Sequence, residues 1–324
     1  MKSIAEAGSD CTANDVDTTT PLRLGGMAKV KSSALGTGRL PDFLIIGGSK
    51  CGTTTLWQYL HRHPSIFLAE PKEPEFFSKD DRYSQGIAWY KALFAQARPE
   101  QICGEASTTY SRWPHFGDVP DRIASVAPDV KLVYMMRHPV ERAYAQYRHR
   151  MRLNVPRMTF EEALEADRVF IDASLYLMQI EKFLERFPRE SLLPVLLDDL
   201  SQTPSQTLSC ILKHLGAEDI DLAAAGPIAS NQASEASADY VRQRMGRLTT
   251  LVPGLQMVKG FIPQRIKDAA KRALTASPWG RQVAKGYQPS PLLPETRKRL
   301  VDLFEEPNRR LGEFLGRDLT HWSR

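Results

Sequence analysis

Residues 41–60, PDFLIIGGSKCGTTTLWQYL, constrain the fold more than any other stretch of the chain. Phe43-Leu44-Ile45-Ile46 is a continuous apolar run, and such a run predicts a strand of a parallel sheet buried on both faces. Gly47 and Gly48 end it, and Gly52 leads into Thr53, Thr54 and Thr55. From there Leu56, Trp57 and Leu60 recur at the spacing of a helix lying against the sheet. A strand, a glycine turn and a helix start together aim backbone N–H groups at one point, which makes an anion site. The nucleoside-triphosphate pattern GxxxxGK[ST] is absent, because Lys50 precedes Gly52 instead of following it. The turn is therefore built for an anion, but with different chemistry.

Further elements alternate in the same manner. Short strands are predicted at residues 65–68, 101–105, 130–136 and 192–197, the last in spite of Pro194. Helices are predicted over 83–97, 159–167, 172–187 and 205–215, with Pro139 opening one more and Gly216 closing the 205–215 helix. Residues 296–315 carry helical periodicity interrupted at Pro307, so two helices are expected to meet there. Strands alternating with helices predict a single α/β domain, its central, mostly parallel sheet flanked by helices. No repeat or linker divides the chain. Residues 1–38, rich in Ser, Thr, Gly and Asp, read as a disordered leader before a domain spanning 39–324. Residues 217–295, broken by Pro253 and Pro263, read as a cap and loop region.

With its glycine loop, the chain resembles the sulfotransferases that use 3′-phosphoadenosine-5′-phosphosulfate (PAPS). The likeness is to the branch of the heparan sulfate sulfotransferases and their bacterial relatives. Three more stretches agree in the family's order: Lys72-Glu73-Pro74-Glu75-Phe76-Phe77; KLVYMMRHPVERAYAQY at 131–147; and Lys285-Gly286 followed by closing helices. This resemblance implies the P-loop-like sulfotransferase fold, PAPS as sulfuryl donor, PAP as product and no metal. It implies a donor site of Gly48, Ser49, Lys50, Cys51, Gly52, Thr53, Thr54, Thr55, Arg137, Lys285 and Gly286. Arg137 stands where the family grips the 3′-phosphate. The family's serine eight residues later is here Ala145, so one hydroxyl contact is expected to be missing.

In this reading Lys50 and Glu73 are the catalytic pair. An ammonium beside loop N–H groups can stabilise charge on the departing phosphate. A carboxylate near apolar side chains suits removal of the acceptor's proton. Glu75 and Glu105 are rivals for the base, and a surface pair of Glu73 with Lys72 is the alternative to catalysis. Glu73, Phe76 and Phe77 are expected to touch the acceptor, with core packing as the competing role for at least one of the phenylalanines. His138 reads as a turn residue. The acceptor itself is expected to be a glycan or other small molecule, attacked through a hydroxyl or, less readily, an amine. Two other functions stay open: a magnesium-dependent nucleotide kinase with an aberrant loop, and a noncatalytic polyanion binder.

The gross numbers set outer limits. A chain of 324 residues with 42% hydrophobic content can bury one large core. No window approaches the roughly 18 apolar residues of a membrane span, so no stable membrane insertion is expected. Golgi members of the family carry an anchor, and the apolar-poor N-terminus here points to a bacterial, cytoplasmic enzyme. Cys11, Cys51, Cys103 and Cys210 form no CxxC pair, which suits a reducing compartment and argues against a structural metal. His61 and His63 are close in sequence but lack a convincing third ligand. The net charge of +5 is concentrated beyond residue 240, yet without a recognition motif or interleaved aromatics, so nucleic acid is not an expected partner.

Overall fold

The computed structural model describes residues 38–152, 158–226, 228 and 289–323. Five strands form the sheet: β1 (Phe43–Gly47), β2 (Ile66–Leu68), β3 (Ile102–Ala106), β4 (Lys131–Met136) and β5 (Leu192–Leu196). Their order is β2-β3-β1-β4-β5, and every pairing is parallel. Parallel neighbours need crossovers, and the crossovers put helices over the sheet. This is why β1 is buried along its whole length and reads as an unbroken apolar run. Pro194 is tolerated because β5 is an edge strand, bonded to β4 alone.

The helices among the described residues are α1 (Thr53–Leu60), α2 (Asp80–Tyr83), α3 (Gly86–Ala92), α4 (Val119–Val126), α5 (Pro139–Arg152), α6 (Phe160–Ala166), α7 (Val169–Asp172), α8 (Tyr176–Leu184), α9 (Leu197–Gln202), α10 (Pro204–Leu215) and α11 (Pro294–Leu315). Local chemistry fixes several ends. Thr159 and Glu162 close a reciprocal capping box at the start of α6. Gly216, at φ 75°, ends α10 in the left-handed conformation. The helices expected over 83–97 and 172–187 are both shorter, as α3 and α8, with α7 ending at Asp172.

Pro307 does not divide the last helix, contrary to expectation. It lies inside α11, which runs unbroken for 22 residues. Leu300, Phe304 and Leu311 are buried at helical spacing on either side of it, so packing holds both halves in one helix despite the lost backbone bond. Three of the four α11 arginines are engaged with carboxylates: Arg297 with Glu141, Arg309 with Glu306 and Glu313, and Arg310 with Glu181. These side chains are a solvated, ion-paired face.

The chain leaves β1 for the edge strand β2 on one side and reaches β4 on the other. The strand order thus reverses around β1, and ligands of open α/β sheets bind beyond the C-terminal ends of the strands at such a point.

Candidate active site

The β1–α1 turn sits at that point. Gly48 N–H donates to the Met135 carbonyl at 2.6 Å, tying the loop to the end of β4, and Cys51 N–H closes back on the Gly48 carbonyl at 3.1 Å. Lys50 adopts φ 68°, the left-handed region, and Gly52 at φ 85° caps α1. Gly52 has a second reason to lack a side chain: a Cβ there would lie 2.5 Å from Leu197 Cδ1. The first N–H groups of α1, at Thr53, Thr54 and Thr55, have no acceptor within the helix. No acidic residue occupies this first turn, so the positive end of the helix is left for an anion.

Arg137 follows β4 immediately. Its Nη1 donates to the Lys50 carbonyl at 3.3 Å, so the arginine and the glycine loop meet at one rim. Tyr176, on α8, fixes the backbone there: its hydroxyl donates to the Arg137 carbonyl at 2.7 Å and lies 3.7 Å from Cys51 Sγ. Cys51 is fully buried, and burial pushes its thiol pKa up, which suits a small filler residue in the loop and opposes a reactive thiolate. His138 accepts the Val140 N–H at Nδ1, as a turn residue does. Ala145 lies two turns along α5 and offers no hydroxyl. Lys285 and Gly286 lie outside the described residues, as do most of the expected leader and cap.

Arg142 stands behind this rim. It is fully buried, and its guanidinium donates to Ser174 Oγ, Gln146 Oε1 and the carbonyls of Val169 and Phe170. All four partners are neutral. A buried cation without a carboxylate partner is costly, and it adds positive potential to a nearby anion site.

The acidic-aromatic loop occupies the neighbouring rim, at the end of β3. Glu73 N–H donates to the Ala106 carbonyl at 3.0 Å, and its carboxylate receives Lys72 Nζ at 3.0 Å and Thr108 Oγ1 at 3.3 Å. The Glu73 side chain remains 36% exposed, so the ion pair with Lys72 leaves it open to solvent. Glu73 and Glu75 both adopt left-handed φ, 62° and 54°, unusual for residues with a side chain. Arg112 feels both carboxylates, and its Nε is buried with no hydrogen-bond partner among the described residues.

Phe76 and Phe77 correct an expectation. Both are fully buried: Phe76 stacks on Tyr90 at 4.4 Å, and Phe77 meets Tyr110 edge-on at 5.6 Å. Their rings anchor the loop in the core and are not available to line an acceptor pocket. Glu105, a rival for the base, is equally sealed from solvent. His63 is engaged at both ring nitrogens, with the Ser65 N–H and the Glu218 carbonyl, and His61 stacks on Trp57. Among the described residues no group of three His, Cys, Asp or Glu side chains could hold a metal, and no helix is long and apolar enough to cross a membrane.

Tyr176, Arg142, Arg112 and Thr108 were not singled out from the sequence. Thr108 had a signal, since Ser107-Thr108-Thr109-Tyr110 places four hydroxyls directly after β3. Arg142 lies within the 131–147 stretch, on α5 just after Arg137, whereas Tyr176 and Arg112 reach the site from elsewhere and no local pattern marks them.

A cleft of about 580 Å³ at the opposite, N-terminal edge of the sheet includes Arg39, Asp42 and Lys131. Arg39 and Asp42 are paired with each other there, and Asp42 also receives the Cys103 N–H. The anion-binding geometry belongs to the other end.

A family model for the sulfotransferase domain matches residues 40–225. The human heparan sulfate glucosamine 3-O-sulfotransferase 3B1 is 32% identical over 197 residues, covering 58% of this chain and 49% of that protein. The mouse bifunctional heparan sulfate N-deacetylase/N-sulfotransferase 3 is 31% identical over 201 residues, covering 55% of this chain and 22% of that protein. The chain thus spans half or less of the length of these curated relatives. A sulfotransferase from Alicyclobacillus acidocaldarius shares the fold, with a TM-score of 0.62 at 23% identity over 88% of this chain and 100% of that one. With more than half of its length matched by the domain model, the chain belongs to the sulfotransferase family.

Proposed function

We propose that this protein transfers a sulfuryl group from PAPS to a hydroxyl, or less readily an amine, of a sugar-containing or other small acceptor. The observation that carries the reading is the meeting of Arg137 with the Lys50 carbonyl at the N-terminus of α1. The Arg137 guanidinium and the N–H groups that open α1 converge there, with Lys50 in the same turn, as a doubly phosphorylated nucleotide requires. Gly48, Ser49, Lys50, Cys51, Gly52 and Thr53–Thr55 cradle the 5′-phosphosulfate, and Arg137 takes the 3′-phosphate. Lys285 and Gly286 complete the donor site on the strength of the family motif. The heparan sulfate named for the two curated relatives favours a glycan acceptor.

The reaction is an in-line displacement. The acceptor oxygen attacks sulfur, the bond between sulfur and the bridging oxygen breaks, and its electron pair leaves on the phosphate of PAP. Lys50 stabilises the charge gathering on that oxygen. The acceptor's proton passes to the Glu73 carboxylate.

Calorimetric titration with PAP, together with transfer of labelled sulfuryl from PAPS to a panel of amine- and hydroxyl-bearing oligosaccharides and small alcohols, tests this reading. PAP binding with transfer to a member of the panel is expected. Failure to bind PAP, or magnesium-dependent phosphoryl transfer from ATP instead, would overturn it.

A further inference from the structure

Beneath the acidic-aromatic loop lies a carboxylate that the proposed mechanism does not use. Glu105 is the fourth residue of β3 and has no exposed surface. Three hydroxyls converge on it: Tyr110 at 2.6 Å and Tyr90 at 3.3 Å on Oε1, and Ser107 at 2.9 Å on Oε2. While Glu105 is ionised, each points its proton inward, because a carboxylate can only accept. The lone pairs of these hydroxyls are thereby turned outward.

Two of those hydroxyls then accept backbone N–H groups of the loop that carries Glu73. Ser107 Oγ accepts from Glu75 N–H at 3.0 Å, and the Tyr110 hydroxyl accepts from Phe77 N–H at 3.4 Å. A third tie is direct, from Glu73 N–H to the Ala106 carbonyl beside Glu105. The loop needs such support, because Glu73 and Glu75 both hold left-handed φ, a conformation that costs of order 1 kcal/mol per side-chain-bearing residue. Glu105 sets the direction of the hydroxyls, the hydroxyls hold the loop amides, and the amides set where Glu73 points.

We infer that Glu105 is a positioning residue for the sulfuryl transfer, fixing the Glu73 loop through Ser107 and Tyr110 from inside the core. The inference rests on the reading of Glu73 as the base, although the hydrogen-bond chain stands without it. A buried ion is an expensive choice for a purely structural strut, since well-packed neutral side chains fill a core at lower cost. What the carboxylate adds, while ionised, is one polarity along the chain of hydroxyls. Burial holds the Glu105 pKa up at about 7, so this polarity reverses at one hydroxyl within the neutral range. The titratable groups facing it are Tyr90 from α3, Tyr110 from the following loop and Glu73 from above; its β1 register partner is the apolar Leu44.

The test measures hydrogen exchange at the Glu75 and Phe77 amides, PAP affinity, and sulfuryl transfer to the acceptor found in the panel. Glu105→Ala and Ser107→Ala are each expected to speed exchange at the Glu75 amide at least ~10-fold and to lower kcat by a similar factor. PAP affinity and exchange across α1 should stay within about twofold of the parent. The double variant should be little worse than Glu105→Ala, because both act through one path. Glu105→Gln, which keeps the volume, should remove a step near pH 7 in the intrinsic-rate-corrected exchange of the loop. It also serves if Glu105→Ala does not fold. Parent-like loop exchange in Glu105→Gln and Ser107→Ala, with no loss of the pH step, would overturn the inference even if Glu73→Gln is inactive. Fast loop exchange with full transfer in Glu73→Gln would instead remove Glu73 as the base and leave the support chain standing.

Discussion

At the scale of single residues, the donor rim makes separable demands. Lys50 already bears the left-handed backbone cost that alanine would bear, so Lys50→Ala should change stability by less than about 1 kcal/mol. Turnover at saturating PAPS should nonetheless fall about 100-fold or more, because the charge on the leaving oxygen loses its ammonium. Unchanged turnover would remove Lys50 from the leaving-group role. In the proposed reading Arg137 faces a different group, the 3′-phosphate. Arg137→Ala should weaken PAP about 10- to 100-fold, the worth of a charge-assisted contact. Adenosine 5′-phosphosulfate, which lacks the 3′-phosphate, should lose little in the same calorimetric titration, and equal losses would move Arg137 elsewhere. Glu73→Gln keeps shape and the Thr108 bond but cannot take a proton, so the transfer step should drop about 100-fold with PAP affinity intact. Glu75→Gln, made beside it, should cost far less in pre-steady-state transfer.

At the scale of elements, the sequence was most legible where one local rule governed. β1 and β4 are apolar throughout because both faces of a parallel sheet are covered, and the glycine turn after β1 advertises itself by Gly47, Gly48 and Gly52. The proposed loop residues, Gly48 to Thr55, could be picked out for the same reason: they are contiguous in the chain. The acidic-aromatic loop was only half legible. Its carboxylates and rings could be found, but whether Phe76 and Phe77 face an acceptor or the core depends on Tyr90 and Tyr110, which arrive from α3 and from beyond β3. Pro307 shows the opposite error, a strong local rule overridden by packing on both sides of it. That conflict has a measurable consequence. Pro307→Ala should restore a backbone N–H in the middle of α11 and raise stability by about 1 kcal/mol, part of the gain being offset by a more flexible unfolded chain. A higher urea midpoint with an unchanged m-value is expected, and a lower midpoint would mean that the proline ring itself packs usefully.

At the scale of the whole molecule, two ionisable side chains are buried near the C-terminal edge of the sheet, Arg142 on α5 behind the proposed donor rim and Glu105 on β3 beneath the acidic-aromatic loop. Neither is paired with an opposite charge among the described residues, and each is satisfied by neutral partners. Burying such groups ties global stability to pH. For Glu105 the linkage has a definite sign. Its carboxyl would ionise near the ordinary value of 4.5 in the unfolded chain, whereas burial keeps it protonated up to about 7 in the fold. Between those values the folded state binds more protons than the unfolded one, so its contribution to stability is full at low pH and is lost as pH rises. The loss amounts to about 3 kcal/mol, at roughly 1.4 kcal/mol for each pH unit between the two values. His214 acts in the other direction, since burial pushes its pKa down and its neutral form must charge on unfolding as pH falls. The difference between the parent and Glu105→Gln isolates the carboxyl from that background. Urea titrations from about pH 4.5 to about pH 8 should show the parent losing stability relative to Glu105→Gln as pH rises, with the curve levelling above about pH 7. A difference that stays flat would mean that Glu105 ionises at its ordinary pH inside the fold, and that its three hydroxyls, not its burial, dominate its charge.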